Sequence, residues 1–78
     1  MYINRGLLKS QLGDYNDAIL DFDNAIEINQ NDGKAYLNRG IAKAEMNDIN
    51  GFCKDISKAI NLGISKKKLK DILEDNCE

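Results

Sequence analysis

Cys53 and Cys77 are the two side chains of this sequence with the widest chemical range, because a thiol can act as a nucleophile, a redox group or a metal ligand. The chain has no histidine, so no imidazole can serve as a general base or complete a mixed Cys/His zinc site. Two cysteines cannot supply four zinc ligands, and their spacing differs from Cys-x-x-Cys. The remaining interpretations of the two cysteines are two inert buried thiols or one disulfide.

The carboxylates offer little further chemistry. Asp21 and Asp23 lie two positions apart, so they do not face each other on a helix. The sequence contains no nucleophile elbow, no glycine-rich phosphate loop and no cluster of metal ligands. We therefore predict no catalytic residue, no metal site, no cofactor and no enzymatic activity.

Charge is unevenly distributed along the 78 residues, whose net charge is −2. Residues 10–33 carry acids and no base, whereas residues 66–70 read KKKLK. Such a basic cluster can contact nucleic acid or lipid headgroups, but no aromatic residue interleaves it to stack a base. We interpret it as the solvated face of a helix and expect no nucleic acid or membrane partner. No apolar run approaches the length of a membrane helix, and the N-terminus lacks the pattern of a signal peptide.

The sequence matches itself at an offset of 34 residues. A repeat of this length is typical of helical-repeat architectures. Identical residues occupy these pairs of positions: Tyr2 and Tyr36, Asn4 and Asn38, Arg5 and Arg39, Gly6 and Gly40, Lys9 and Lys43, Asp14 and Asp48, Asn16 and Asn50, Asp21 and Asp55, Ala25 and Ala59, Ile26 and Ile60. The period therefore predicts two equivalent structural units.

Each unit has the apolar spacing of two helices. Breaks are expected at Gly13–Asp14, at residues 30–33, at Asn47–Asp48 and at Gly63, where turn-forming residues interrupt the pattern. A further helix follows, with Ser65 as the expected N-cap. The prediction is an all-α single domain over residues 1–78, divided into a first unit at 1–30, a second at 31–63 and a capping helix at 64–78.

The repeat resembles the tetratricopeptide repeat (TPR) family, whose pattern of large and small residues is carried by both units. The matching residues are Tyr2, Arg5, Gly6, Lys9, Ala18, Phe22 and Ala25 in the first unit and Tyr36, Arg39, Gly40, Lys43 and Ala59 in the second. The resemblance is closest to a bacterial subtype. It implies a short right-handed superhelix of two repeats and a capping helix, with the first helix truncated. Gln30 stands where the family has proline, and Phe52 where it has alanine.

Two sets of repeated residues are assigned structural roles. Glycine inside a helix costs about 1 kcal/mol relative to alanine, so its recurrence at Gly6 and Gly40 indicates close helix–helix approach. Antiparallel helices within each unit place an arginine opposite an aspartate. We therefore expect two structural ion pairs, Arg5 with Asp21 and Arg39 with Asp55.

The resemblance also implies a protein–protein interaction module without chemistry of its own, whose groove is lined by the first helix of each repeat. The positions that match this groove are Ile3, Leu7, Gln11, Lys34, Leu37, Ile41 and Glu45. Its four aliphatic side chains suggest an apolar peptide, a neighbouring repeat of a longer array or a second copy of the chain. A structural end cap of a longer array and a helical-repeat nucleic-acid binder are the alternative functions. The partner is not identified by the sequence.

The two cysteines are expected to meet. Cys53 lies about ten residues before the turn at Gly63–Ser65 and Cys77 about twelve after it, so antiparallel helices with a rise of about 1.5 Å per residue bring them to the same height. We predict sulfur atoms within reach of each other, which form a disulfide if the protein is exported and remain thiols if it is cytoplasmic.

Overall fold

The computed structural model describes residues 2–64 and 67–77, and these residues form helices and turns without a β-strand. The helices are α1 (Tyr2–Gln11), α2 (Tyr15–Ile28), α3 (Gly33–Glu45), α4 (Ile49–Asn61) and α5 (Lys67–Asn76). The predicted all-α class is therefore confirmed. The N-cap expected at Ser65 lies outside the described residues. None of the helices in the described part of the chain is long and apolar enough to cross a membrane.

Three of the four connections between helices share one backbone conformation. The second residue after α1, α3 and α4 takes a positive φ, at Gly13 (82°), Asn47 (65°) and Gly63 (103°). The amide of the next residue then donates back into the helix, as in Asp14 N to Lys9 O at 2.9 Å. This geometry satisfies carbonyl groups that the helix end leaves without a partner. Tight turns of this kind reverse the chain and make successive helices antiparallel.

The N-terminal ends of the helices are less uniform than the sequence pattern. Asp48 accepts a hydrogen bond from the amide of Gly51 at 3.0 Å, and Asp32 accepts one from Lys34 at 3.1 Å. Asp14 occupies the same position in the first unit as Asp48 in the second, yet its side chain makes no capping hydrogen bond. A shared residue type thus produces a side-chain cap at only one of the two equivalent sites.

Each helix packs on the next along the chain, and α1 also contacts α3. The centre of the first unit is a buried cluster of Ala18, Phe22 and Ala42, which joins α2 to α3. Ile56 and Ala59 are fully buried in the second unit. Complete burial of a side chain as large as Phe22 or Ile56 contributes about 1.5–3 kcal/mol. Between these large residues the interfaces are built from alanine and glycine, which let the helix backbones approach closely.

Candidate binding groove and the ion pairs behind it

The predicted groove residues form two parallel stripes, one on α1 and one on α3. Residues four apart lie on the same face of a helix. The α1 stripe consists of Ile3, Leu7 and Gln11, and the α3 stripe of Leu37, Ile41 and Glu45, with Lys34 one turn before it. Leu7 and Ile41 occupy equivalent positions and are 38% and 46% exposed, while Ile3 and Leu37 are half-buried. Because α1 contacts α3, the two stripes belong to neighbouring helices.

The polar residues of the predicted groove are open to solvent. Gln11, Lys34 and Glu45 are all exposed. Ile3, the first residue of the α1 stripe, also lines a pocket of about 280 Å³ together with Tyr2 and Ile28. Ile28 is 72% exposed, so the apolar surface extends from the groove to the end of α2.

The two predicted glycine contacts differ between the repeats. A Cβ atom at Gly6 would lie 2.6 Å from Cε1 of the buried Phe22 ring. A Cβ atom at Gly40 would lie 3.0 Å from Cβ of Asp55 and 3.4 Å from the carbonyl oxygen of Phe52. Both glycines are buried, and each lies where a second helix approaches the backbone. The tighter contact is the one at Gly6.

Arg5 and Asp21 lie in contact behind the first stripe. Nε of Arg5 donates to both carboxylate oxygens at 3.1 Å, and Nη2 donates to Oδ1 at 2.6 Å. Lys9 adds a second cation at 3.4 Å. The Asp21 side chain is 3% exposed, and burial alone would raise its pKa. The hydrogen bonds from Arg5 outweigh this effect, so the pKa of Asp21 is lowered and that of Arg5 is raised.

Arg39 and Asp55 repeat this arrangement in the second unit. Nε and Nη2 of Arg39 donate to the two carboxylate oxygens at 2.9 and 2.7 Å, and Lys43 lies 3.5 Å from the same carboxylate. Nη1 of Arg39 also donates to Asp23 of the first unit at 2.8 Å. Its hydrogen bonds with Asp55 are the main reason that the pKa of Arg39 is raised. This second pair therefore links two helical units.

A tyrosine accompanies each arginine. The guanidinium carbon of Arg5 lies 5.2 Å from the centre of the Tyr2 ring, and Arg39 lies at the same distance from Tyr36. These distances are within the range of cation–π attraction. Both rings are half-buried and lie beside the arginines that reach the carboxylates.

The cysteines occupy the opposite end of the molecule. Cys53 and Cys77 are joined in a disulfide, with their Cα atoms 5.8 Å apart. No side chain described in α5 is buried: Leu69 and Leu73 are only half-buried, as is Cys77, which follows the helix. A pocket of about 510 Å³ between α4 and α5 is lined in part by Lys54 and Leu73. The disulfide thus fixes a helix that packs loosely. Lys67 and Lys70 of the basic cluster are exposed.

Three charged residues of these networks were not identified from the sequence: Lys9, Lys43 and Asp23 as ion-pair partners. The sequence separation between each arginine and its aspartate could have identified Asp23 as a partner. Arg39 lies 16 residues from Asp23 and 16 from Asp55, the same separation as Arg5 and Asp21. The described residues contain no group of three potential metal-binding side chains.

Residues 1–32 match the family model described as tetratricopeptide repeat. Residues 1–32 therefore carry a tetratricopeptide repeat, and the all-α arrangement of the described helices is consistent with the repeat fold of that family. No curated protein matches the chain. Tetratricopeptide repeats generally mediate protein–protein interactions, and the family is typically a non-enzymatic repeat module. The second helical pair carries ten of the same residues at an offset of 34 positions.

Proposed function

We propose that this protein binds a partner protein through an apolar segment that lies in the groove between the α1 and α3 stripes. The observation that carries this proposal is the exposure of Leu7 and Ile41, which occupy the same position in both repeats. A solvated helix face normally carries polar residues, and adjoining exposed aliphatic side chains commonly mark an interaction site.

The residues of the predicted groove favour a ligand whose centre is apolar and whose two short ends are polar. The centre of the groove offers Ile3, Leu7, Leu37 and Ile41 and no charged side chain, whereas exposed polar residues lie toward its ends. A partner segment with aliphatic anchors at regular spacing would bury these side chains. The carboxylates of Asp21 and Asp55 are already hydrogen-bonded to arginines within the chain, so they do not bind the ligand.

The experiment is selection of peptides from a random library on the folded protein, followed by measurement of dissociation constants by fluorescence anisotropy. The selected peptides should be rich in aliphatic residues. Leu7→Asp and Ile41→Asp should each weaken binding by about tenfold or more, because each removes at least 1.4 kcal/mol of buried apolar contact.

Leu20→Asp is the matched control for these variants. Leu20 is 59% exposed but lies on α2, outside both stripes, so its replacement should leave binding within about twofold. Equal loss of affinity in the control and in the groove variants would show that the peptides recognise apolar surface in general. Selected peptides that bind Leu7→Asp and Ile41→Asp as tightly as the unchanged protein would refute the proposal.

A further inference from the structure

The charged residues of the predicted groove are Lys34 and Glu45, and both belong to α3. Lys34 is the second residue of the helix and Glu45 is its last. Both are exposed, and none of the ion pairs among the described residues includes either of them. With a rise of about 1.5 Å per residue, the two positions lie about 16 Å apart along the helix. Each charge is therefore available to a ligand at its own end of the groove.

Both charges lie on the same side of α3 as the exposed aliphatic residue of its stripe. Successive residues of a helix are rotated by about 100°, so Lys34, Ile41 and Glu45 fall within about 40° of one another around the axis. Ile41 is 46% exposed. A cation, an aliphatic side chain and an anion therefore follow each other along one continuous face.

The α1 stripe adds no charge to this face. Gln11 occupies on α1 the position that Glu45 occupies on α3. Arg5 and Lys9, the cations of α1, lie against the carboxylate of Asp21 behind the stripe. The charge along the groove is therefore set by α3, positive at the beginning of the helix and negative at its end.

Helix stability does not account for this placement. The helix dipole favours acids in the first turn and bases in the last turn, and Lys34 and Glu45 oppose both preferences. Asp32 caps the same end as Lys34, but its carboxylate accepts hydrogen bonds from the amides of Lys34 and Ala35, which partly compensate its charge. Residues that oppose a local preference are expected where a function requires them.

We propose that the groove binds a protein segment with an acidic residue at one end, an aliphatic centre and a basic residue at the other end, and that α3 fixes its orientation. The carboxylate of the segment pairs with Nζ of Lys34, and its cation pairs with the carboxylate of Glu45. An extended segment would carry the two charges about five residues apart, at about 3.3 Å per residue. The inference rests on the proposed function, since the groove is the same, and adds the sign of the charge at each end of the ligand.

The test is a double-mutant cycle between the charges of a peptide and those of α3. The probe is the aliphatic core of a groove-selected peptide, flanked by one glutamate and one lysine in either order. Replacing the peptide's glutamate by glutamine should weaken binding about two- to fivefold, as expected for an exposed ion pair, but should not affect binding to Lys34→Gln. Replacing the peptide's lysine should show the same coupling with Glu45→Gln alone.

Charge exchange and matched controls complete the design. The variant that combines Lys34→Glu with Glu45→Lys keeps the net charge and should prefer the peptide of the opposite order. Lys54→Gln and Glu27→Gln remove exposed charges of α4 and α2 outside the stripes, so they should show no coupling with the peptide. Higher ionic strength should reduce the coupling to Lys34 and Glu45, because salt screens exposed charges. Circular dichroism establishes that each variant remains helical.

The outcomes separate this inference from the proposed function. Peptides that lose binding in Leu7→Asp and Ile41→Asp, but show no coupling to Lys34 or Glu45, would overturn the inference and leave the proposed function in place. Coupling of equal size in the two control variants, or an unchanged preference after charge exchange, would overturn it as well. Peptides that bind Leu7→Asp and Ile41→Asp as tightly as the unchanged protein would refute both.

Discussion

Replacing Gly6 by alanine sets two effects of known size against each other. Alanine favours the helix by about 1 kcal/mol relative to glycine, so at an open site Gly6→Ala would stabilise the protein. The new Cβ would lie 2.6 Å from Cε1 and 2.9 Å from Cζ of Phe22, whereas carbon atoms pack best at about 3.5–4.0 Å. The ring is fully buried and cannot swing into solvent.

The ring or α1 must therefore move by about 1 Å to accept the methyl group. Overpacking of this kind costs about 1–3 kcal/mol, so the free energy of unfolding should fall by a net 0–2 kcal/mol once the helix propensity is included. The matched variant is Gly40→Ala. Its Cβ would lie 3.0 Å from Cβ of Asp55, a smaller overlap that the gain in helix propensity should offset.

The measurement is urea denaturation of both variants and the unchanged protein, followed by circular dichroism. Gly6→Ala should have a lower midpoint than Gly40→Ala with a similar slope, since the surface exposed on unfolding is the same. If Gly6→Ala were more stable than Gly40→Ala, α1 would not be held against Phe22 as the structure shows, and the reasoning would be refuted.

Asp55→Ala should lower the free energy of unfolding by about 2–4 kcal/mol, because it leaves Arg39 partly buried without its main partner. Replacing both Arg39 and Asp55 by apolar residues should be closer to neutral. A double-mutant cycle that shows no coupling between the two residues would contradict this prediction. Because the pKa of Asp21 is lowered in the folded state, its stabilising effect is present above about pH 4 and is lost as the pH falls further, so acid titration of stability should be flatter in Asp21→Asn. Reduction of Cys53–Cys77, which are 24 residues apart, should lower the free energy of unfolding by about 3.5 kcal/mol on the chain-entropy estimate, and melting curves unchanged by reductant or by double replacement with alanine would refute that value.

The helical architecture was predictable because its signals are local. The apolar spacing defines a helix face within a few residues, and a residue that tolerates positive φ ends the helix at Gly13, Asn47 and Gly63. The 34-residue period then predicts that the second pair of helices repeats the first. The helix ends of the structure accordingly fall at the expected breaks.

The two ion pairs could be predicted from the sequence because each lies within a single antiparallel helix pair. A short turn fixes which residues of two such helices are opposite, so Arg5 and Asp21 could be paired by counting from it. Asp23 was missed because its partner, Arg39, belongs to the next unit. That contact depends on how α2 packs on α3, which no single turn determines.

The sequence by itself determined that two equivalent helical pairs form, and which residues recur in step within them. Only the tertiary structure decided what surrounds each recurring position. Leu8 and Ala42 occupy the same place in the repeat, yet one is largely exposed and the other buried. Gly6 lies against an aromatic ring and Gly40 against an aspartate. Helix formation depends on neighbours along the chain, which the repeat preserves, whereas burial depends on the neighbouring helix in space, which differs at the two ends of the molecule.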